Sequence, residues 1–176
     1  MKRFLKACGA LVLSFVLLLA MTSCSEYDFY EDWHGAGAAI EKDNIFETIS
    51  LEKAAEMKED GKVFALVYAS SSAATSRNVI TSLQVQAEYL GCEDAVVYYV
   101  NSTDYYGSST TRKEVKSIIG MHEAPSDGSP VIMTFKNGRV DVDTSDMNKT
   151  KTKEFIKNGI IQYASLASYI FRELHN

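Results

Sequence analysis

Val63-Phe64-Ala65-Leu66-Val67-Tyr68-Ala69-Ser70-Ser71-Ser72-Ala73-Ala74-Thr75-Ser76-Arg77 is the stretch whose reading decides the fold. An unbroken apolar run stops in a small polar turn, and a helical pattern starts at once. A run apolar on both faces belongs to a strand buried in a sheet that is covered on two sides. The turn therefore arrives at a helix N-terminus, where folds commonly display chemistry. Its content is Ser, Ala and Thr, where a reactive group is expected.

The neighbouring segments extend the same alternation. Residues 45–49 read as a short strand, and Ser50 as the N-cap of a helix over 51–60 with Leu51, Ala54, Ala55 and Lys58 on one face. After the central strand (62–69), a helix over 74–90 carries Val79, Leu83, Ala87 and Leu90 as a core stripe and stops at Gly91. A second buried strand covers 95–100, followed by a Ser/Thr/Tyr-rich loop over 101–109. Thr111 and Glu114 make a capping box for a helix with Val115, Ile118 and Ile119, ending at Gly120. An irregular stretch then leads to Pro130, and residues 131–135 and 139–143 form a hairpin turned by Asn137-Gly138. The tail reads as helix, with Ile156, Ile160, Tyr163, Ala167, Ile170 and Leu174 on one face and Asn158-Gly159 breaking it in two. Strands alternating with helices and then a hairpin imply an α/β fold with a mixed sheet and helices on both faces.

The N-terminal end is of another kind. Lys2, Arg3 and Lys6 precede an apolar run from Ala10 to Met21, and Thr22-Ser23-Cys24 closes it in small residues. This is a secretory signal, too short and wrongly flanked for a transmembrane helix. Met21-Thr22-Ser23-Cys24 resembles the lipobox of bacterial lipoproteins, with Met21 standing where Leu is usual. That resemblance implies cleavage before Cys24 and lipidation of that cysteine, which becomes the new N-terminus, with palmitate as the expected chain. The expected divisions are a signal peptide over 1–23, a flexible tether over 24–44 and one folded domain over 45–176. The tether mixes Tyr27, Phe29, Tyr30 and Trp33 with Gly35-Ala36-Gly37-Ala38-Ala39 and holds no sustained period.

Charge and cysteine content narrow the function. The chain carries a formal charge of −5, and removing a segment with three basic and no acidic residues leaves −8. An acidic protein of this kind suits neither nucleic acid nor an anionic lipid surface, so membrane attachment rests on the lipid alone. With Cys8 in the signal and Cys24 acylated, Cys92 is single and no intramolecular disulfide forms. No zinc-type Cys/His spacing and no glycine-rich phosphate loop are present.

Two local signatures, with the element order, resemble the thioredoxin fold over residue 45 to the C-terminus. One is Ser129-Pro130-Val131-Ile132-Met133-Thr134-Phe135-Lys136-Asn137-Gly138-Arg139-Val140, which is similar to the thioredoxin segment where a cis-proline opens a strand ending in Phe-Lys-Asn-Gly. The other is the opening stretch, in which Ser72-Ala73-Ala74-Thr75 occupies the Cys-x-x-Cys positions. The resemblance implies a three-layer α/β/α sandwich and, with both sulfurs missing, no dithiol chemistry, because a hydroxyl cannot form a disulfide.

Each candidate residue has a plainer reading beside the functional one. Ser70, Ser71, Ser72, Thr75 and Arg77, facing Ser129 and Pro130, form a notch suited to a carboxylate or an extended peptide; alternatively Ser72 merely caps the helix. Ser72 as a hydrolytic nucleophile needs a base, and His122 is the candidate within the domain, but no orienting carboxylate is identifiable and a surface-loop histidine accounts for it. Asp141, Asp143 and Asp146 read as a solvated acidic edge and not as a calcium loop. No cofactor or metal is expected. The expected function is a redox-inactive, lipid-anchored, extracytoplasmic protein of the cell envelope that binds a peptide or protein partner. The alternative is a thiol–disulfide enzyme acting through Cys92.

Overall fold

The computed structural model describes residues 28–126, 128–148 and 150–175; the expected signal segment and Cys24 lie outside the described residues. The chain forms α1 (Phe29–Gly35), β1 (Phe46–Thr48), α2 (Leu51–Glu59), β2 (Phe64–Ala69), α3 (Ala74–Leu90) and β3 (Val97–Asn101). A 3₁₀ turn (Ser102–Tyr105), α4 (Ser109–Ile119), β4 (Val131–Lys136) and β5 (Arg139–Asp143) follow. The chain ends in α5 (Thr150–Lys153), β6 (Ile156–Lys157), β7 (Ile160–Ile161) and α6 (Tyr163–Leu174). The main sheet is mixed, in the order β1-β3-β2-β4-β5, with β1, β3 and β2 parallel and β4 and β5 antiparallel to their neighbours.

β2 lies at the centre and all six of its residues are buried. Side chains alternate across a strand, so its two faces fill two cores. Ala65, Val67 and Ala69 meet Val79, Ile80, Leu83 and Ala87 of α3 and Leu166, Ala167 and Ile170 of α6. Phe64, Leu66 and Tyr68 meet Leu51, Ala54 and Met57 of α2 and Val115 and Ile119 of α4. This is the α/β arrangement expected, with helices on both faces of a mixed sheet.

Local signals account for most boundaries. Ser50 Oγ accepts the Lys53 amide at 3.1 Å, the cap expected for α2. At the β4–β5 turn Asn137 and Gly138 both take positive φ, 53° and 73°, the left-handed pair that a two-residue hairpin needs. A side chain on Gly138 would also press within 3.2 Å of the Lys58 carbonyl.

Several expectations are corrected. Residues 28–44 are not a spacer, because α1 and the segment after it are part of the core. Asp28 Oδ1 caps α1 by accepting the Glu31 amide at 3.1 Å, and Phe29 and Trp33, one turn apart, turn inward. Phe29 stacks on Phe46 at 4.9 Å, and Trp33, with no solvent exposure, meets Tyr99 edge-on at 5.5 Å. Ala38 and Ile40 are buried too, and Thr81 Oγ1 and Gln84 Oε1 accept the amides of Ala39 and Ile45, tying the segment to α3. A seven-residue helix has little stability alone, so this packing is what orders it. The cap of α4 is Ser108, whose Oγ accepts the Thr111 amide, and not Thr111. Asn158-Gly159 turns a small hairpin, β6–β7, where a broken helix was expected, again with positive φ at both residues. Leu90 and Ile118, expected in the core, are about two-fifths exposed, and on α2 it is Met57 and not Lys58 that is buried.

Removing a large core side chain costs transfer energy and leaves a void. Trp33→Ala should therefore lower unfolding free energy by about 3–5 kcal/mol in denaturant titration. A change below about 1 kcal/mol would mean that α1 is only laid against the domain.

Candidate functional site

The turn between β2 and α3 is built by hydroxyls bonded to one another. Ser70 is buried at the end of β2, and its Oγ meets Ser72 Oγ at 2.8 Å and Thr103 Oγ1 at 3.0 Å. The Ser72 amide also reaches Ser70 Oγ, at 3.3 Å. Thr103 arrives from the 3₁₀ turn after β3, which runs parallel to β2 and ends at the same edge. Ser72 itself is exposed. It does not cap α3, because the N-cap is Ala73, which makes no side-chain cap bond.

The loop before β4 closes over this turn from the other side. Thr75 Oγ1 donates to the Gly128 carbonyl at 3.3 Å, and the Gly128 amide donates to Tyr106 OH at 3.0 Å. Arg77 folds back to donate to the Ser71 carbonyl at 2.7 Å, which leaves the guanidinium committed to the turn. Tyr68 pairs with Val131, so Pro130 enters β4 beside the end of β2, with Ser129 exposed and Pro130 half-buried. No peptide bond among the described residues is cis, so the cis-proline that the resemblance implies is absent at Ser129–Pro130. The expected residues Ser70, Ser71, Ser72, Ala73, Ala74, Thr75, Arg77, Ser129 and Pro130 thus do gather at one end of the sheet. Thr103, Tyr106 and Gly128 join them, and only their position at the ends of β3 and before β4 could have pointed to them.

The acidic residues of β5 are not a solvated edge. Asp143 is buried, and its Oδ2 accepts the His122 amide at 2.6 Å and His122 Nδ1 at 2.8 Å, while Oδ1 accepts the Ser145 amide at 2.9 Å. An ionised carboxylate can only accept, so the hydrogen of this contact is carried by Nδ1. His122 therefore has the orienting carboxylate that sequence reading did not find. The hydrogen bonds shown for His122 run to Asp143, and that shown for the Ser72 hydroxyl runs to Ser70. Asp141 accepts from Tyr169 OH. Burial first, and then that carboxylate, push the Tyr169 phenol well above its usual range.

Cys92 lies just past the far end of α3, half-buried, with its thiol toward the Leu90 carbonyl. Seventeen helical residues put it about 25 Å along the axis from the Ser72 turn. Among the described residues no three of His, Cys, Asp and Glu come together as metal ligands. No protein-family model matches the chain, and no curated protein matches it by sequence.

The arrangement can present a rigid polar ridge; its donors are largely spent on one another. Buried hydroxyls with and without partners should respond oppositely to truncation. Ser70→Ala, which strips the shared partner from Ser72 and Thr103, should cost about 1–2 kcal/mol. Ser76, fully buried one turn into α3 with an Oγ that has no partner, should tolerate Ala without loss. Equal losses for the two variants, measured by thermal or denaturant unfolding, would contradict the network. Asp143→Ala should cost about 3 kcal/mol and speed amide exchange at His122 and Ser145, since it strips three donors of their acceptor.

Proposed function

We propose that the chain is a bacterial cell-envelope lipoprotein, acylated at Cys24, whose thioredoxin-like domain binds a peptide or protein partner in an accessory role without exchanging disulfides. The observation that carries the reading is the hydroxyl-bonded turn between β2 and α3. It lies opposite the Pro130 loop, where the resemblance would place a dithiol, and holds no sulfur. The mixed five-stranded sheet with helices on both faces is compatible with a thioredoxin-like sandwich. Two further points favour a polypeptide over a small ligand. The inner hydroxyls and Arg77 are already bonded within the turn, and what stays exposed is a set of small residues, Ser72, Ala74, Thr75 and Ser129. Such a set offers contact area more than a pocket.

The enzyme alternative acts through Cys92 itself, a free half-buried thiol just past the C-terminal end of α3, and so makes no use of the Ser72 turn. Partner recovery from solubilised envelopes tests the binding reading. Ser72→Trp should abolish capture of a partner that the parent protein retains, with unfolding midpoints unchanged; capture unaffected by Trp would move the interface elsewhere. Insulin reduction by the domain should be absent, and any thiol-dependent turnover lost in Cys92→Ser would establish the enzyme instead. The scaffold reading has its own check. A Ser72→Cys, Thr75→Cys double variant should form an intramolecular disulfide on mild oxidation, seen as a mass loss of about 2 Da and protection from alkylation. Two freely alkylated thiols after oxidation would speak against that geometry.

A further inference from the structure

We infer that the domain is held against the bilayer surface with α1 turned toward the lipid, a placement that rests on the acylation of Cys24 proposed above. The argument is one of reach. Phe29 is buried against Phe46 and Tyr99, so the folded body begins there and not near residue 45. Only four residues, Ser25 to Asp28, separate Phe29 from Cys24, which is five steps of the chain. Whatever conformation they take, five steps span no more than about 17 Å. A domain of this length has a radius of gyration of about 15 Å and is about 38 Å across. A leash shorter than half the body cannot let the attachment point rotate to the side away from the bilayer. A 20-residue spacer, by contrast, would average about 25 Å end to end and reach about 70 Å, enough for free tumbling.

The surface brought toward the headgroups is acidic. Asp28, Glu31, Asp32, Glu41 and Asp43 stand on or beside α1 against one basic residue, Lys42, whose ammonium lies over the Tyr30 ring. An anionic headgroup layer would repel such a face, so the domain rests close to the lipid without inserting. The same geometry locates the hydroxyl turn. Trp33 of α1 packs edge-on against Tyr99, and Tyr99 OH donates to the carbonyl of Ala69, the residue before Ser70. The turn is thus linked to α1 through two packed rings and one hydrogen bond, and a body held this close to the lipid keeps it near the bilayer surface. The partner class that fits is an extracytoplasmic segment of a membrane protein lying close to the bilayer.

Energy transfer to headgroup-labelled lipid tests this in the full-length protein, acylated in cells and reconstituted into phosphatidylcholine vesicles. In a Cys92→Ser background, a dye is placed by Glu31→Cys on α1 or by Lys157→Cys on the β6–β7 hairpin, two residues from Phe155, whose ring meets Tyr169 where that phenol bonds Asp141 of the opposite edge strand β5; both positions are exposed. Transfer should be at least about twofold greater from position 31, since most of a domain width separates the two sites. Inserting 20 Gly/Ser residues between Glu26 and Tyr27 leaves the core untouched and should erase most of that difference. Equal transfer from both positions in the acylated protein, or a difference that survives the insertion, overturns the placement alone. An intact mass without acyl chains overturns the lipid anchor and the placement with it.

Discussion

The structure depends on β2 being sealed from both sides. Its six buried residues alternate between two cores, and each core exists because a different set of helices closes over one face of the sheet. Apolar burial of this kind is the main favourable term in folding, and it acts here through one strand with no face to spare for water. The antiparallel neighbour β4 and the parallel neighbour β3 hold that strand in register, which fixes where Ser70 must emerge. The turn, the Thr103 contact and the Gly128 contact all follow from that exit point.

On one face the closure is completed by an unexpected element. α3 and α6 cover the middle and far strands, and α1 supplies Phe29 and Trp33 over β1 and β3. The segment from 38 to 45 is then pinned to α3 by two side-chain acceptors, Thr81 and Gln84. A region that reads as a spacer in composition is a sealing element in energetics. That exchange of roles shortens the proposed link to the membrane from about twenty residues to four, and so turns a floating domain into an oriented one.

What was legible in the sequence was local. The two-faced apolar run of β2, the Ser50 cap and the Asn137-Gly138 turn each announce themselves within a few residues, and each stands where expected. Asn158-Gly159 carries the same turn chemistry after the same Lys, yet the flanking Ile156 and Ile160 fit helical spacing as well as strand spacing, and the wrong period was chosen. Phe29 and Trp33 read as part of a spacer in the sequence because two apolar residues make no period. Asp143 was misread because its burial depends on His122, twenty-one residues away and brought up by tertiary packing. At the candidate site the residue types were found and their bonding was not: Ser72 bonds to Ser70 and the helix is left with Ala73 as its cap. Hydroxyls choose partners from whatever the fold brings near, and here the fold brings Thr103 and Ser70.

The claim on which the rest stands is that one cooperative body includes both β2 and α1. Native-state amide exchange measures this directly, residue by residue, in increasing denaturant. Amides of Trp33 and His34 in α1 and of Leu66 and Val67 in β2 should open with the same free energy, equal to that of global unfolding. Exchange of the α1 amides at the rates of an unstructured peptide, with β2 still protected, would contradict the account.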